Sequence, residues 1–478
     1  MSWTYRSALS IAMLALGITL LAPASQAQWA TGDLTSTGNR ADYLIITTKD
    51  FVPTVAPLAA FRASRNGYAV MIVLVDSIAA QFRHASADSA IRDFLAYTVD
   101  HWQQPRPSLC LLAGAVDRVP SHTLPSVFPP DLGEDSVLVD QWFVTRTGAT
   151  MPYPSPVLAL GRMVAWNAAQ LQAQVEKTIA YEQAEPGPWA RRSLVLADSS
   201  DAPFWESEAS DVQRALAPGW PDTIAVHLRP TSPFYGSRAA FRSLWSEGCA
   251  FVSLIGHQNG QRFSSSYFTV ADADSLAPRS ELPVCLLLGS QPFSHPDTIG
   301  MAVALLKAQG RGAVAVIAPS GIMYAFSASE FDHALFTSLA AHRAEPVGLA
   351  WKTALSNGRN AIDIRWMIFG DPALVVKRAD IAAVVPPTET PAGFSLHQNY
   401  PNPFNPTTMV RFALPAASFV TVRVYNALGQ EVAMLQNGVA EAGVHEVRFD
   451  ATGLASGVYL CRMQAGSFSA STKMILVR

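Results

Sequence analysis

Cys249–Ser320, CAFVSLIGHQNGQRFSSSYFTVADADSLAPRSELPVCLLLGSQPFSHPDTIGMAVALLKAQGRGAVAVIAPS, decides how the rest of the chain is read. It contains three apolar runs: Ala250–Ile255, which stops at Gly256-His257; Pro283–Leu288, which stops at Gly289-Ser290; and Gly312–Ile317, which follows a helical pattern from Ile299 to Lys307. Apolar runs of strand length separated by a helix predict parallel strands covered on both faces. In such sheets ligands gather where strands end at their carboxyl termini, and that places His257 and Ser290 in the candidate site.

The same grammar extends in both directions. Tyr68–Val75 and Leu109–Leu112 read as strands beside Ala41–Thr48, with helical spacing at Phe51–Arg65 and Ser89–Trp102. Val157–Gly161 and the helix Ala168–Glu182 complete a first half, and Pro186-Gly187-Pro188 marks its end. A second half opens at Arg192 with SLVLAD, the helix Trp205–Leu216, the strand Asp222–Leu228 and the helix Arg238–Ser246. Helices at Ser327–Arg343 and Val347–Asn357 and a short strand ending in GDPALVV close it. The reading is α/β: two consecutive, mainly parallel halves over 41–186 and 190–378.

Residues 379–393 form a proline-rich linker. From Phe394 helical periodicity stops, and short alternating strands with turns at LGQ, EAG and ASG predict an immunoglobulin-like β-sandwich over 394–478. At the other end, Arg6 precedes the apolar stretch Ala8–Ala22, and Ser25-Gln26-Ala27 offers small residues for cleavage. A core of about 15 apolar residues is too short to span a bilayer, so 1–27 reads as a secretory signal peptide. No later stretch predicts a membrane span.

Apolar residues make up 49% of the chain and charged ones 15%, with a formal net charge of −3, which gives no electrostatic basis for binding nucleic acid. Four cysteines, Cys110, Cys249, Cys285 and Cys461, are too few for a disulfide framework, and no pair has metal-ligand spacing. The reading expects no metal and no cofactor. Asp332-His333, His295 and Asp297 lack a third ligand and are expected on surfaces or loops, and Asp371 is expected to hold a turn.

Two resemblances follow from ordered motifs. HQNYPNPFNPTT, VTVRVYNALGQEV, AGVHEVRFDATGLASGVYLCRMQAG and STKMILVR make the tail resemble the C-terminal sorting domain of the type IX secretion system. That implies export to the surface or exterior of a bacterium with an outer membrane, and the secretion machinery as a partner of residues 394–478. The body resembles the gingipain family of cysteine peptidases, with their caspase-like fold. The motifs are YLIIT (Tyr43), LLAGAVDRVP (Leu111), DQWF (Asp140), ALGRM (Ala159), KTIAYE (Lys177), LIGHQNG (Leu254), the strand and turn Leu282–Phe293, GAVAVIAPSG (Gly312) and FGDPAL (Phe369).

The resemblance implies hydrolysis of protein or peptide substrates through an acyl-enzyme, with His257 as general acid/base. It implies Asp140 as a residue orienting that histidine, with a loop-capping carboxylate as the alternative. Arg162 is expected in an ion pair or on carbonyls. The family's cysteine is missing from its turn, and three assignments stay open. Ser290 is the nucleophile, or Cys285 is, or the site is degenerate and the domain binds without cleaving. Gln258 stands where a small residue usually follows the histidine, and is expected to crowd the oxyanion region.

Overall fold

The computed structural model describes residues 28–29, 32–128, 134–145, 155–200, 202–264, 266–277, 279–289, 300–342, 345–356, 361–379, 393–396, 399, 402, 404, 406–440, 443–466 and 468–476. The predicted signal peptide over 1–27, Ser290, His295, Asp297 and nearly all of the predicted proline-rich linker lie outside them. The chain divides into two compact units between Ala379 and Asp380.

The first unit begins with β1 (Gln28–Trp29), β2 (Tyr43–Thr47), α1 (Val52–Asn66), β3 (Val70–Leu74), α2 (Val75–Gln81), α3 (Ala87–His101) and β4 (Leu109–Ala113). A hairpin of β5 (His122–Pro125) and β6 (Ser136–Val139) precedes β7 (Ala159–Met163) and α4 (Ala168–Gln183). The elements follow local chemistry. Helix α1 buries Val55, Leu58, Ala59 and Arg62, one helical face, and ends where Gly67 turns left-handed at φ +70°. Helix α4 starts where the Asn167 side chain accepts the Gln170 N–H.

The second stretch runs through β8 (Arg192–Ala197), α5 (Ala202–Leu216), β9 (Asp222–His227), α6 (Arg238–Ser246) and β10 (Phe251–Ile255). A small flap follows, made of β11 (Gln258–Asn259), β12 (Arg262–Phe263) and β13 (Phe268–Thr269). Then come α7 (Val270–Ala273), β14 (Val284–Leu288), α8 (Met301–Lys307), β15 (Ala315–Pro319), α9 (Ala325–Ala341), α10 (Val347–Ser356) and β16 (Trp366–Phe369).

Eleven strands form one sheet in the order β1-β3-β2-β4-β7-β16-β15-β14-β10-β8-β9. Every pairing is parallel except β15 with β16. The two halves therefore run in opposite directions, and their strands finish at opposite edges of the sheet. Both faces are covered. In β10, Phe251 and Ile255 pack into one apolar cluster, while Val252 and Leu254 pack into another on the far face.

The predicted α/β body stands, with several local differences. Strand β15 starts at Ala315 rather than Gly312, because Gly312 takes φ +76° in a turn where a Cβ would lie 2.2 Å from Leu305 O. The flap and the β5–β6 hairpin fall in stretches too short for a periodicity to register. DQWF, to which the sequence assigned no element, forms a 3-10 turn with Asp140 buried.

Long-range polar groups fasten this unit. Arg62, fully buried, bonds Asp371 (Nε to Oδ2, 2.9 Å) and Glu182 (Nη1 to Oε1, 2.7 Å), and Tyr43 donates to Asp371 Oδ1 at 2.8 Å. Asp371 also accepts the Ala373 N–H, so it holds its turn as expected and clamps α1 to it as well. Lys177 on α4 is buried with its ammonium among the carbonyls of Leu305, Leu306, Arg311 and Ala313, which ties α4 to the exit of α8.

The second unit is all β: β17 (Ser395–Leu396), β18 (Thr407–Leu414), β19 (Ser418–Asn426), β20 (Glu431–Ala440), β21 (Gly443–Asp450), β22 (Gly457–Ala465) and β23 (Phe468–Leu476). They form antiparallel sheets β17-β18-β21 and β20-β19-β22-β23 around one cluster that includes Val410, Phe412, Val420, Val422, Cys461 and Met463. Among the described residues, no helix is long and apolar enough to cross a membrane.

Candidate active site

Strand β8 continues outward to β9, whereas β10, β14 and β15 are laid down on its other side. The order reverses between β8 and β10, and in open α/β sheets such a reversal is where ligands bind, in the crevice outside the carboxyl ends of the strands. Asp198 follows β8 and His257 follows β10, each at the carboxyl end of its strand. Two glycines make the close approach possible. A Cβ on Gly256, at φ +149°, would lie 2.1 Å from Asp198 Cβ, and one on Gly289 would lie 1.9 Å from Gly256 O.

Asp198 is buried and accepts hydrogen bonds at both oxygens. Oδ1 takes the amides of Ser199 (2.6 Å) and Ser200 (3.2 Å) and the Ser264 hydroxyl from the flap. Oδ2 takes the Ser200 hydroxyl at 2.7 Å and the His257 backbone N–H at 3.0 Å. Burial pushes this carboxyl up, but the bonds from Ser264, Ser200 and the backbone outweigh it and hold it below its usual range. It is therefore ionised at neutral pH.

The His257 imidazole is 56% exposed, with Nδ1 lying 2.8 Å from Ser200 Oγ and 3.5 Å from Asp198 Oδ2. The edge of Trp205, from the first turns of α5, packs against the ring at a centroid distance of 5.3 Å. Ser264 N–H donates to His257 O at 2.9 Å, which makes Gln258–Phe263 the non-bonded pair of the flap ladder. The Gln258 N–H therefore points away from β12, and among the described residues no carbonyl takes it. The Gln258 side chain is buried against Gly289, and its carboxamide has no hydrogen-bond partner among the described residues.

The other candidates stand elsewhere. Asp140 gives both oxygens to Arg162, at 2.6 and 2.7 Å, and Arg162 also donates to the carbonyls of Gly114, Val119 and Pro120. Arg162 as an ion-pair and carbonyl-binding residue matches its expectation; Asp140 as the partner of His257 does not. Strand β7 lies four strand spacings, about 19 Å, from β10, and its carboxyl end is at the opposite edge. The carboxylate beside the histidine is Asp198.

Cys285 is also corrected. It sits mid-strand, paired with Val252 and Val316, and is completely buried. Burial, with Cys249 nearby, pushes its thiol well above the usual range, so it is inert. All four cysteines of the chain are buried, and none offers a thiolate to the crevice. Asp332, expected on a surface or loop, is instead 1% exposed on α9, and burial pushes its carboxyl well above the usual range. Among the described residues no cluster of three or more His, Cys, Asp or Glu could hold a metal ion.

Sequence reasoning missed Asp198, Ser200 and Ser264. One signal was present: SLVLAD ends in a carboxylate where a parallel strand ends, the same position that singles out His257 in its own strand.

The fold defines a large α/β protein with a candidate histidine-centred site at a switch point between parallel strands. The chain belongs to peptidase family C25, whose model matches residues 36–377. Residues 398–477 match the secretion system C-terminal sorting domain, which marks the protein for export to the cell surface or the extracellular space. Gingipain R (RgpB), an Arg-specific cysteine proteinase, shares the fold at a TM-score of 0.58 and 16% identity, over 92% of this chain and 98% of that one. The complex of the Porphyromonas gingivalis RgpB pro- and mature domains gives 0.58 at 14% identity, over 91% and 100%. At such identities the likeness is one of fold. No curated protein matches the chain.

Proposed function

We propose that this chain is an exported hydrolase of peptide bonds, acting in the crevice between β8 and β10 with His257 as general acid/base and Ser290 as nucleophile. The observation that carries the reading is the arrangement around His257, whose imidazole is 56% exposed and whose Nε2 has no hydrogen-bond partner among the described residues. Ser290 Oγ attacks the peptide carbonyl while its proton passes to His257 Nε2, and the imidazolium gives that proton to the departing amine. Water then attacks the ester, losing a proton to Nε2, and the imidazolium returns that proton to Ser290 Oγ as the acid is released. The Gln258 N–H supports the oxyanion in both steps. Residues 1–27 act as the signal peptide, and the tail, read as an immunoglobulin-like sandwich, carries the protein to the type IX machinery.

One observation favours a second reading. With all four thiols buried, the family's usual nucleophile is lacking, which suits a peptide-binding protein that no longer cleaves. A fluorophosphonate probe on the folded full-length chain separates the two. Labelling mapped to Ser290 and lost in His257→Ala supports hydrolysis. A folded chain that takes no label, cuts no member of a peptide library and still binds peptides supports the second reading. An iodoacetamide probe is expected to label nothing until the protein is unfolded.

A further inference from the structure

The Ser200 hydroxyl stands between the carboxylate and the imidazole. It lies 2.7 Å from Asp198 Oδ2 and 2.8 Å from His257 Nδ1, whereas those two atoms are 3.5 Å apart, beyond a good direct hydrogen bond. A hydroxyl has one hydrogen to donate, and an ionised carboxylate can only accept. The Ser200 hydrogen is therefore committed to Asp198, and Ser200 Oγ can approach Nδ1 only as an acceptor. Nδ1 must then carry a hydrogen in both the neutral and the cationic imidazole, and Nε2 is the nitrogen that gains and loses the proton.

We propose that Ser200 is a positioning residue that relays the Asp198 carboxylate to His257 and fixes the imidazole as the Nδ1–H tautomer with Nε2 open to the crevice.

The surroundings support this assignment. The Ser200 and Ser199 amides and the Ser264 hydroxyl fix Asp198 from three directions, so the carboxylate cannot swing to meet the imidazole itself. The flap turn that delivers Ser264 places Ser264 at φ 40° and Ser266 at φ 81°, left-handed values that non-glycine residues rarely adopt. Ser200 cannot itself be a nucleophile activated by His257 in this arrangement, because its only hydrogen points at the carboxylate.

The inference rests on the reading of His257 as general acid/base, but its test does not depend on turnover. The full-length chain with 15N-labelled histidine reports the tautomer directly, and His257→Ala identifies its signals. With the imidazole neutral, the wild type is expected to show a protonated Nδ1 and a bare Nε2. Ser200→Ala should shift the ratio of the two tautomers toward Nε2–H by roughly tenfold, the effect of one lost hydrogen bond. Ser200→Thr, which keeps the hydroxyl, should restore it, and Asp198→Asn should disturb it as the alanine does.

A wild-type proton on Nε2, or a ratio unchanged in Ser200→Ala, overturns the relay. So does a fluorophosphonate adduct mapped to Ser200. If the tautomer behaves as described but no peptide is cut, the relay stands and the catalytic reading falls. If wild type cleaves, Ser200→Ala should lower kcat far more than it changes KM, and equal effects on both would count against a positioning role.

Discussion

Replacing Arg62 by methionine removes the cation from a buried cluster while roughly keeping the length of the side chain. In the wild type its guanidinium touches Asp371 Oδ2 through Nε and Nη2, at 2.9 and 2.8 Å, and Glu182 Oε1 through Nη1 at 2.7 Å. The side chains of Arg62 and Asp371 are both 0% exposed. After the substitution Glu182 keeps Arg65 Nε at 3.4 Å and the Val375 amide. Among the described residues the Asp371 carboxylate keeps Tyr43 and the Ala373 N–H, neither of which carries a charge.

Stripping one partner from a buried pair costs about 3–5 kcal/mol. Urea unfolding should show a deficit of that size at pH 7, with an unchanged dependence on urea. A buried carboxylate without its cation relieves the penalty by taking up a proton in the native state. The variant's native state then binds more protons than its unfolded state, so its stability falls as pH rises. For one proton the slope is about 1.4 kcal/mol per pH unit, and the deficit should largely close within about three units on the acid side. A deficit below about 1 kcal/mol, or one that does not shrink toward acid, would refute the view that Arg62 compensates these carboxylates.

Other consequences are more direct. Gly289→Ala places a Cβ 1.9 Å from Gly256 O, which must displace the end of β10; kcat/KM on any peptide that is cut should fall by roughly a hundredfold. A folded variant with full activity would show that the crevice is not the reacting site. The Asp198 carboxyl is held below its usual range, so it contributes stability above about pH 4 that is lost as pH falls through its lower folded value. Acid unfolding of Asp198→Asn should be correspondingly less steep, and an identical acid limb would contradict the lowered value. Deleting 394–478 should leave the protein in the periplasm, as fractionation would show; normal surface delivery would remove the sorting role from the tail.

What the sequence determined was local. Side chains alternate along strands and recur every three to four residues in helices, so β2, β4, β8, β10, β14, α1 and α4 were legible from patterning, as was the change to alternating strands after the linker. Gly256-His257 stood out because a strand end is a local feature. The tertiary structure decided which strand ends meet. Pairing between β15 and β16 is antiparallel, a long-range choice that no local pattern encodes, and it sends Asp140 and Arg162 to the opposite edge from His257. The same sheet order brings Asp198, 59 residues earlier in the chain, against the His257 backbone and sets Ser200 between carboxylate and imidazole. Spacing in sequence carries no record of such a contact, because it depends on the order of strands across the sheet rather than on the residues between them.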